Sequence, residues 1–392
     1  MVEALLLIGL VVAVFVGFNI GGSSTGVSFG PAVGSGILSK TGAAALMSVF
    51  ALAGGWTVGR NVIETMGGEI VPASSFTLVA SVGVLFFVGL ALLVSNTFGV
   101  PASTSMTAVG AIAGLGAATG TLNADVMLRI VGWWLVAPVV AFWICAVVGR
   151  YLYPYLDAAF AIDRSAGGVL VVDGGRPRVA PDATGREVAG TVAVLAIACY
   201  MAFSAGASNA ANAVAPLVGN GALTAGQGVL LAGGAIAVGA FTIARRTLDT
   251  VGNDLTDLPL LAALIVEVVS ASLITFLSYI GIPASLAVSA TMCIVGLGWG
   301  RATRTTTIGD AVGGALAGDD DRERPEVSVN ALAAESPSPD DGVPRMGEER
   351  GEELLAEDLF DPGTTGRVVS FWILTPTISF VCSYVLFAFT PV

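Results

Sequence analysis

Six runs of apolar residues, at 4–18, 75–95, 130–149, 190–203, 258–280 and 368–390, are long enough, or nearly so, to cross a hydrocarbon core needing roughly 20 helical residues. A chain built this way has lipid as its main solvent, and in lipid a spanning segment must satisfy its own backbone. Only 12% of the residues are charged and the mean hydropathy is +0.84, where a soluble domain would carry about 25% charge. The first run follows acidic Glu3 and leads straight into more apolar sequence, unlike a cleaved signal peptide. An all-α integral membrane protein of about 10–12 membrane segments is expected, multi-pass in a cell membrane, with the lipid bilayer as a partner and no nucleic acid.

The chain contains itself twice. Sliding the sequence along itself until Phe18 meets Phe203 lays 18–71 over 203–256 without a gap, and Phe18, Gly21, Ser23, Pro31, Val33, Gly34, Gly36, Leu38, Leu46, Gly54, Thr57, Arg60, Thr65 and Gly67 meet identical residues. Sliding one position further lays Ser103-Thr104-Ser105-Met106 over Ser289-Ala290-Thr291-Met292, with Pro101 and Pro283 four positions out of step. Weak repeats among hydrophobic segments mark secondary transporters, whose site lies where two inverted halves meet near the midplane. The expected organisation is a first repeat at 1–149, an inter-repeat loop at 150–188, a second repeat at 189–300, a linker at 301–366 and a final helix of the second repeat at 367–392.

The net charge of −12 is local. Residues 318–361 hold 15 of the 29 acids and 4 of the 17 basic residues, which makes −11 and leaves −1 for everything else. Such a segment reads as a solvated, disordered linker. Arg150, Arg164, Arg176, Arg178 and Arg186 in one loop, and Arg301, Arg304, Arg322, Arg324, Arg345 and Arg350 in the other, put both loops in the cytoplasm and both termini outside.

The chain has no histidine, and Cys145, Cys199, Cys293 and Cys382 stand singly in apolar runs. That removes histidine triads, zinc sites and disulfide frameworks, and an enzyme is not expected. No resident cofactor is expected either.

Each half opens with a helix that runs into small polar residues, Gly21-Gly22-Ser23-Ser24-Thr25-Gly26-Val27-Ser28 and Gly206-Ala207-Ser208-Asn209-Ala210-Ala211-Asn212-Ala213, followed by Pro31 and Pro216. These segments are expected to be broken or re-entrant helices lining an internal cavity. Freed amides, helix N-termini and hydroxyls suit an anion without any buried Lys or Arg. The candidate ligands are Ser23, Ser24, Ser103, Thr104, Ser105, Ser208, Asn209, Asn212, Ser289 and Thr291. The alternative is that these small residues only let helices pack closely. Glu267 stands alone within LLAALIVEVVSASLITF, with Ser81 at the matching repeat position, and an ionisable group at such depth points to carriage of an ion or proton. Glu64, Glu69, Asp249 and Asp254 flank Arg60, Arg245 and Arg246 and read as surface or interfacial ion pairs.

The motifs resemble those of the inorganic phosphate transporter (PiT) family, whose halves each carry G-A-N-D-x-x-N-A. The resemblance rests on Phe203 to Ala213, Arg245 to Gly252 and Pro101 to Ser105, and covers about 1–148, 190–300 and the last span. It implies a symporter that moves phosphate with sodium or a proton, with Asn212 at the coupling-ion site, where Glu267, by its depth in an apolar span, is the other candidate. Ser23-Ser24 and Ser208-Asn209 replace the family's Asn-Asp, and Val27 replaces an asparagine kept as Asn212. Two carboxylates are thereby lost, which weakens a sodium site more than an anion cradle. Sulfate, carried by related family members, is the rival substrate. A transport-defective relative that senses an anion or scaffolds other proteins is the alternative from another class. A second copy of the chain is a candidate partner, as a homodimer.

Overall fold

The computed structural model describes residues 2–97, 103–160, 170–173, 176–179, 184–244, 248, 259–305 and 362–390. The first half contains α1 (Val2–Gly34), α2 (Lys40–Thr57), α3 (Gly59–Glu64), α4 (Leu78–Thr97), α5 (Thr104–Thr119), α6 (Ala124–Val147) and α7 (Tyr153–Phe160). The second contains α8 (Gly185–Gly219), α9 (Ala225–Thr242), α10 (Leu260–Tyr279), α11 (Leu286–Ala302) and α12 (Pro362–Phe389). Helices α8 and α12 begin a few residues before the expected repeat boundaries. The Pro101, Arg245, Arg246, Asp249 and Asp254 readings and the 318–361 linker lie outside the described residues.

Among the described residues six helices are long and apolar enough to cross a membrane, or seven if α2 and the segment Gly59–Glu69, bent by 61°, count as one span, and α4, α5 and α11 are shorter apolar helices. Their outward faces carry Leu7, Leu128, Leu135, Phe276 and Ile373, all largely exposed. Apolar faces of this extent fit lipid and not water.

The repeat is written into the helix ends. Ser39 accepts the Gly42 amide ahead of α2, and Thr224, at the same place in the second half, accepts the Gln227 amide ahead of α9. The turns before them pass through Gly36 at φ 75° and Gly221 at φ 79°, a left-handed conformation that favours glycine. Leu38 and Leu223 then close those turns onto the carbonyls of Ala32 and Leu217 at 3.0 and 3.2 Å.

Four glycines hold the halves together. A Cβ on Gly21 would strike the carbonyl of Ile236, and one on Gly206 the carbonyl of Ala51; Gly54 meets the carbonyl of Phe203, and Gly239 that of Phe18. Each contact recurs with its partners exchanged between the halves, so α1 lies on α9 as α8 lies on α2. Along α1 and α9 the contacts advance in the same direction, from Gly17 against Ala235 to Gly22 against Ile243. Helices α1 and α2 run oppositely across their tight turn, and α8 parallels α2. The equivalent helices α1 and α8 are therefore antiparallel, with Gly9 of α1 beside Leu217 of α8. That is an inverted repeat. The exchange continues in Gly110 and Gly114 of α5 against α12, and in Gly296 and Gly300 of α11 against α6. Close approach at small residues is the usual means of helix association in lipid.

One expectation needs correction. The helices do not break at 21–28 or 206–213: α1 and α8 run unbroken through both segments and through Pro31 and Pro216. Each proline lies within the last turn of its helix, so the single backbone bond it removes falls just where the helix is about to stop. The described membrane segments are all helical, as expected, and the inter-repeat loop adds a short antiparallel hairpin of β1 (Leu170–Asp173) and β2 (Arg176–Val179), with Asp173 paired to Arg176.

Candidate functional site

Two short helices begin inside the protein. Ser103 caps α5 by accepting the Met106 amide at 3.3 Å, and Ser285 caps α11 by accepting the Val288 amide at 3.3 Å. Both caps are buried. The first amides of each helix lack a carbonyl one turn earlier, so each start is a patch of donors carrying partial positive charge.

Helix α8 passes the start of α5 and is sewn to it. Thr104 donates its hydroxyl to Asn209 Oδ1 at 2.5 Å. Asn212 Nδ2 reaches Thr104 Oγ1 at 3.2 Å, Ser105 Oγ at 3.2 Å and Asn209 Oδ1 at 3.0 Å. Ser208 gives its one proton to the Ala284 carbonyl at 2.8 Å, so Ser105 is the donor in the 3.3 Å contact between the two serines. The network ties α5, α8 and the turn before α11 into one unit. Asn212 Oδ1 is left buried without a partner.

Beside this network lies a small pocket of about 80 Å³. Asn19, Ile20, Ser23, Ser24 and Val27 of α1 line it, with Leu92 of α4, Thr104, Asn209, and Ser285, Leu286 and Ala287 at the start of α11. None of these described residues is charged. Ser23 bonds back to the carbonyls of Asn19 and Ile20 at 3.2 Å. Ser24 and Ser285 face the space without bonding each other.

Among the sequence candidates, Ser23, Ser24, Thr104 and Asn209 reach the pocket wall, while Ser103, Ser105, Ser208 and Asn212 stand behind it as cap and network. Ser289 and Thr291 do not line it. The caps Ser103 and Ser285 keep the same spacing as the bounds of α4 and α10, whereas Gly110 and Gly296, in their equivalent seams, stand four positions further apart than the caps do. Helix α11 therefore carries one additional turn between its cap and its glycine seam. That displaces Ser289 about 6 Å along the axis, at roughly 1.5 Å per residue. The candidates Ser289 and Thr291 are thus replaced at the pocket by Ser285, Leu286 and Ala287. Asn19 and Ser285 were not among the sequence candidates. Matching Pro101-Ala102-Ser103 to Pro283-Ala284-Ser285, as the offset of the prolines suggested, would have found Ser285; nothing marked Asn19.

The freed backbone amides expected at 21–28 and 206–213 are bound within continuous helices, so these segments offer side chains alone. Among the described residues, the helix starts that face the site are those of α5 and α11.

Glu267 lies in α10, 4% exposed, with both carboxylate oxygens unpartnered, and it does not line the pocket. By the helix ends its repeat counterpart is Leu85, not Ser81; Ser81 donates instead to the Pro216 carbonyl at 2.9 Å. Glu69 forms an exposed ion pair at 2.9 Å with Arg129 rather than with Arg60, which lies 4.3 Å over the Trp56 ring. Among the described residues no group of three or more His, Cys, Asp or Glu could hold a metal ion.

The profile of the phosphate transporter family matches residues 20–318. The sulfate permease CysP of Bacillus subtilis (strain 168) is 32% identical over 296 residues, covering 75% of this chain and 77% of its own. A Pyrococcus furiosus protein named as a phosphate permease is 23% identical over 364 residues, covering 76% and 88%. Among solved structures, one titled the sodium-dependent phosphate transporter superposes with a TM-score of 0.68 at 16% identity, over 98% of both chains. The fold is shared with that protein.

Proposed function

The chain belongs to the phosphate transporter family, and on that premise we propose that it is a secondary permease carrying inorganic phosphate across the cell membrane. The observation that carries this reading is a pocket at the meeting of the two repeats whose described lining is neutral and rich in donors. Ser24, Asn209, Ser285 and the first amides of α11 surround it. A tetrahedral oxyanion offers acceptors on every face, and neutral donors at a helix start hold it without a counter-charge that would impede release.

The interlocked halves suggest how the site changes sides. Helices α5 and α8 are joined by hydrogen bonds at one wall of the pocket, while α1 and α11 at the other wall leave Ser24 and Ser285 apart. Rocking the body of α1, α2, α8 and α9, which the glycine seams hold together, against α5 and α11 would close the second seam as it opens the first.

The uptake is cation-coupled in this reading. Glu267 is the proposed proton-carrying group, because an unpaired carboxyl at that depth is costly to keep without a role. Asn212 Oδ1, buried and unpartnered, is the other candidate for contact with a coupling cation. Both large loops are placed in the cytoplasm and both termini outside. In support, Arg304 donates to the Arg150 carbonyl at 2.8 Å and Arg150 donates to the Thr303 carbonyl, so the two arginine-bearing loops leave from the same end.

Sulfate is the second reading, favoured by the absence of any carboxylate among the described residues lining the pocket. Uptake of labelled phosphate and sulfate into proteoliposomes, with and without sodium and a pH gradient, tests both. Uptake of neither anion, with binding retained, would favour a sensor or scaffold and sink the transport reading.

A further inference from the structure

The hydrogen bonds around Asn209 determine which end of its carboxamide faces the pocket. Thr104 has one hydroxyl proton and gives it to Asn209 Oδ1, which also accepts Asn212 Nδ2 at 3.0 Å. Turning Asn209 alone would set its NH2 against the NH2 of Asn212. Turning both would place two N–H groups of Asn212 where only its carbonyl oxygen now lacks a partner, and an orphaned N–H is the rarer and costlier defect. The arrangement as drawn is therefore the favoured one, and Asn209 presents N–H to the pocket.

We propose that Asn209 selects the protonation state of the oxyanion, with Thr104 and Asn212 as positioning residues that hold its amide as a donor. The proposal rests on the oxyanion reading above. A fully ionised ion such as sulfate offers only acceptors, whereas hydrogen phosphate also presents an O–H that must find an acceptor. Ser24 and Ser285 carry hydroxyls that can donate or accept by rotation, so they do not discriminate. Asn209 is pinned at its carbonyl end and cannot turn to accept. A fully ionised ion can meet this N–H with any of its oxygens, whereas hydrogen phosphate must keep its P–O–H turned away from Asn209 and onto a serine hydroxyl, because an N–H facing a P–O–H leaves one group unpaired. A carboxylate at this position would do the reverse, accepting the P–O–H and repelling a bare oxygen.

The test compares initial uptake of sulfate and phosphate by wild type, Asn209→Asp and Asn212→Ala in proteoliposomes. Asn209→Asp is expected to lower the sulfate-to-phosphate ratio about tenfold or more, and Asn212→Ala, which leaves only the rotatable Thr104 hydroxyl beside the amide and so frees it to turn, about threefold. An unchanged ratio in a variant that still carries either anion overturns the proposal, and Asn212→Ala alone decides if Asn209→Asp does not reach the membrane. Should wild type carry neither anion, the transport reading fails separately. Thermal stabilisation of the purified protein by each anion then decides this one: transfer of stabilisation from sulfate to phosphate in Asn209→Asp supports it, and no transfer overturns it.

Discussion

Gly54 of α2 lies directly against the carbonyl of Phe203 in α8, with no room between them for a methyl group. Its repeat equivalent, Gly239, lies in the same way against Phe18. These contacts join opposite halves, so the repeats are held by each other. Gly54→Ala is expected to force the helices apart, at a cost of about 1–3 kcal/mol for overpacking and more against backbone. The check is the unfolding temperature of the detergent-purified protein beside Gly68→Ala, whose added Cβ would meet nothing within 4 Å and which should leave that temperature nearly unchanged.

Ser24 and Ser285 supply hydroxyls to the pocket, and Ser289 stands one turn inside α11. Replacing Ser24 or Ser285 by alanine should raise the KM for anion uptake about tenfold, the loss of one hydrogen bond to a charged ligand being worth roughly 1.5–3 kcal/mol. Ser289→Ala should leave it within about twofold, since a small change of this kind away from the pocket removes no ligand bond. Equal effects at 285 and 289 would mean that the start of α11 is not the site.

Glu267→Gln removes the ionisable proton while keeping the side chain's shape. Uptake driven by an inward proton gradient should be lost, and exchange of labelled for unlabelled anion at equal pH should persist. Survival of gradient-driven accumulation would exclude Glu267 as the coupling group.

The hairpin of β1 and β2 gives a readout of sidedness. A cysteine introduced at Arg178, with Cys145, Cys199, Cys293 and Cys382 replaced, should react with a membrane-impermeant maleimide only after cells are opened. Labelling of intact cells would invert the proposed topology.

Much of the fold was legible because duplication preserves local chemistry. The pairing of Ser39 with Thr224 and of Gly36 with Gly221 follows from a caps-and-turns code that needs no distant partner. The unbroken course of α1 and α8 was not legible. Small polar residues weaken helix propensity, but here Gly21 and Gly206 make the close seams that hold the helices in place, and packing overrides propensity.

The sequence by itself determined an inverted pair of membrane repeats and the α1 and α8 segments that carry Ser23, Ser24, Ser208 and Asn209. Tertiary structure alone decided that Ser285, not Ser289, meets the pocket, and that Asn209 turns its amide inward. The reason is geometric. Residues one helical turn apart share nearly the same face, so a slip of one turn leaves the sequence match almost as good, and only the position of the N-cap shows which residue reaches the cavity. The direction of a carboxamide, likewise, is set by neighbours that are far away in the chain and in hydrogen-bond contact in space.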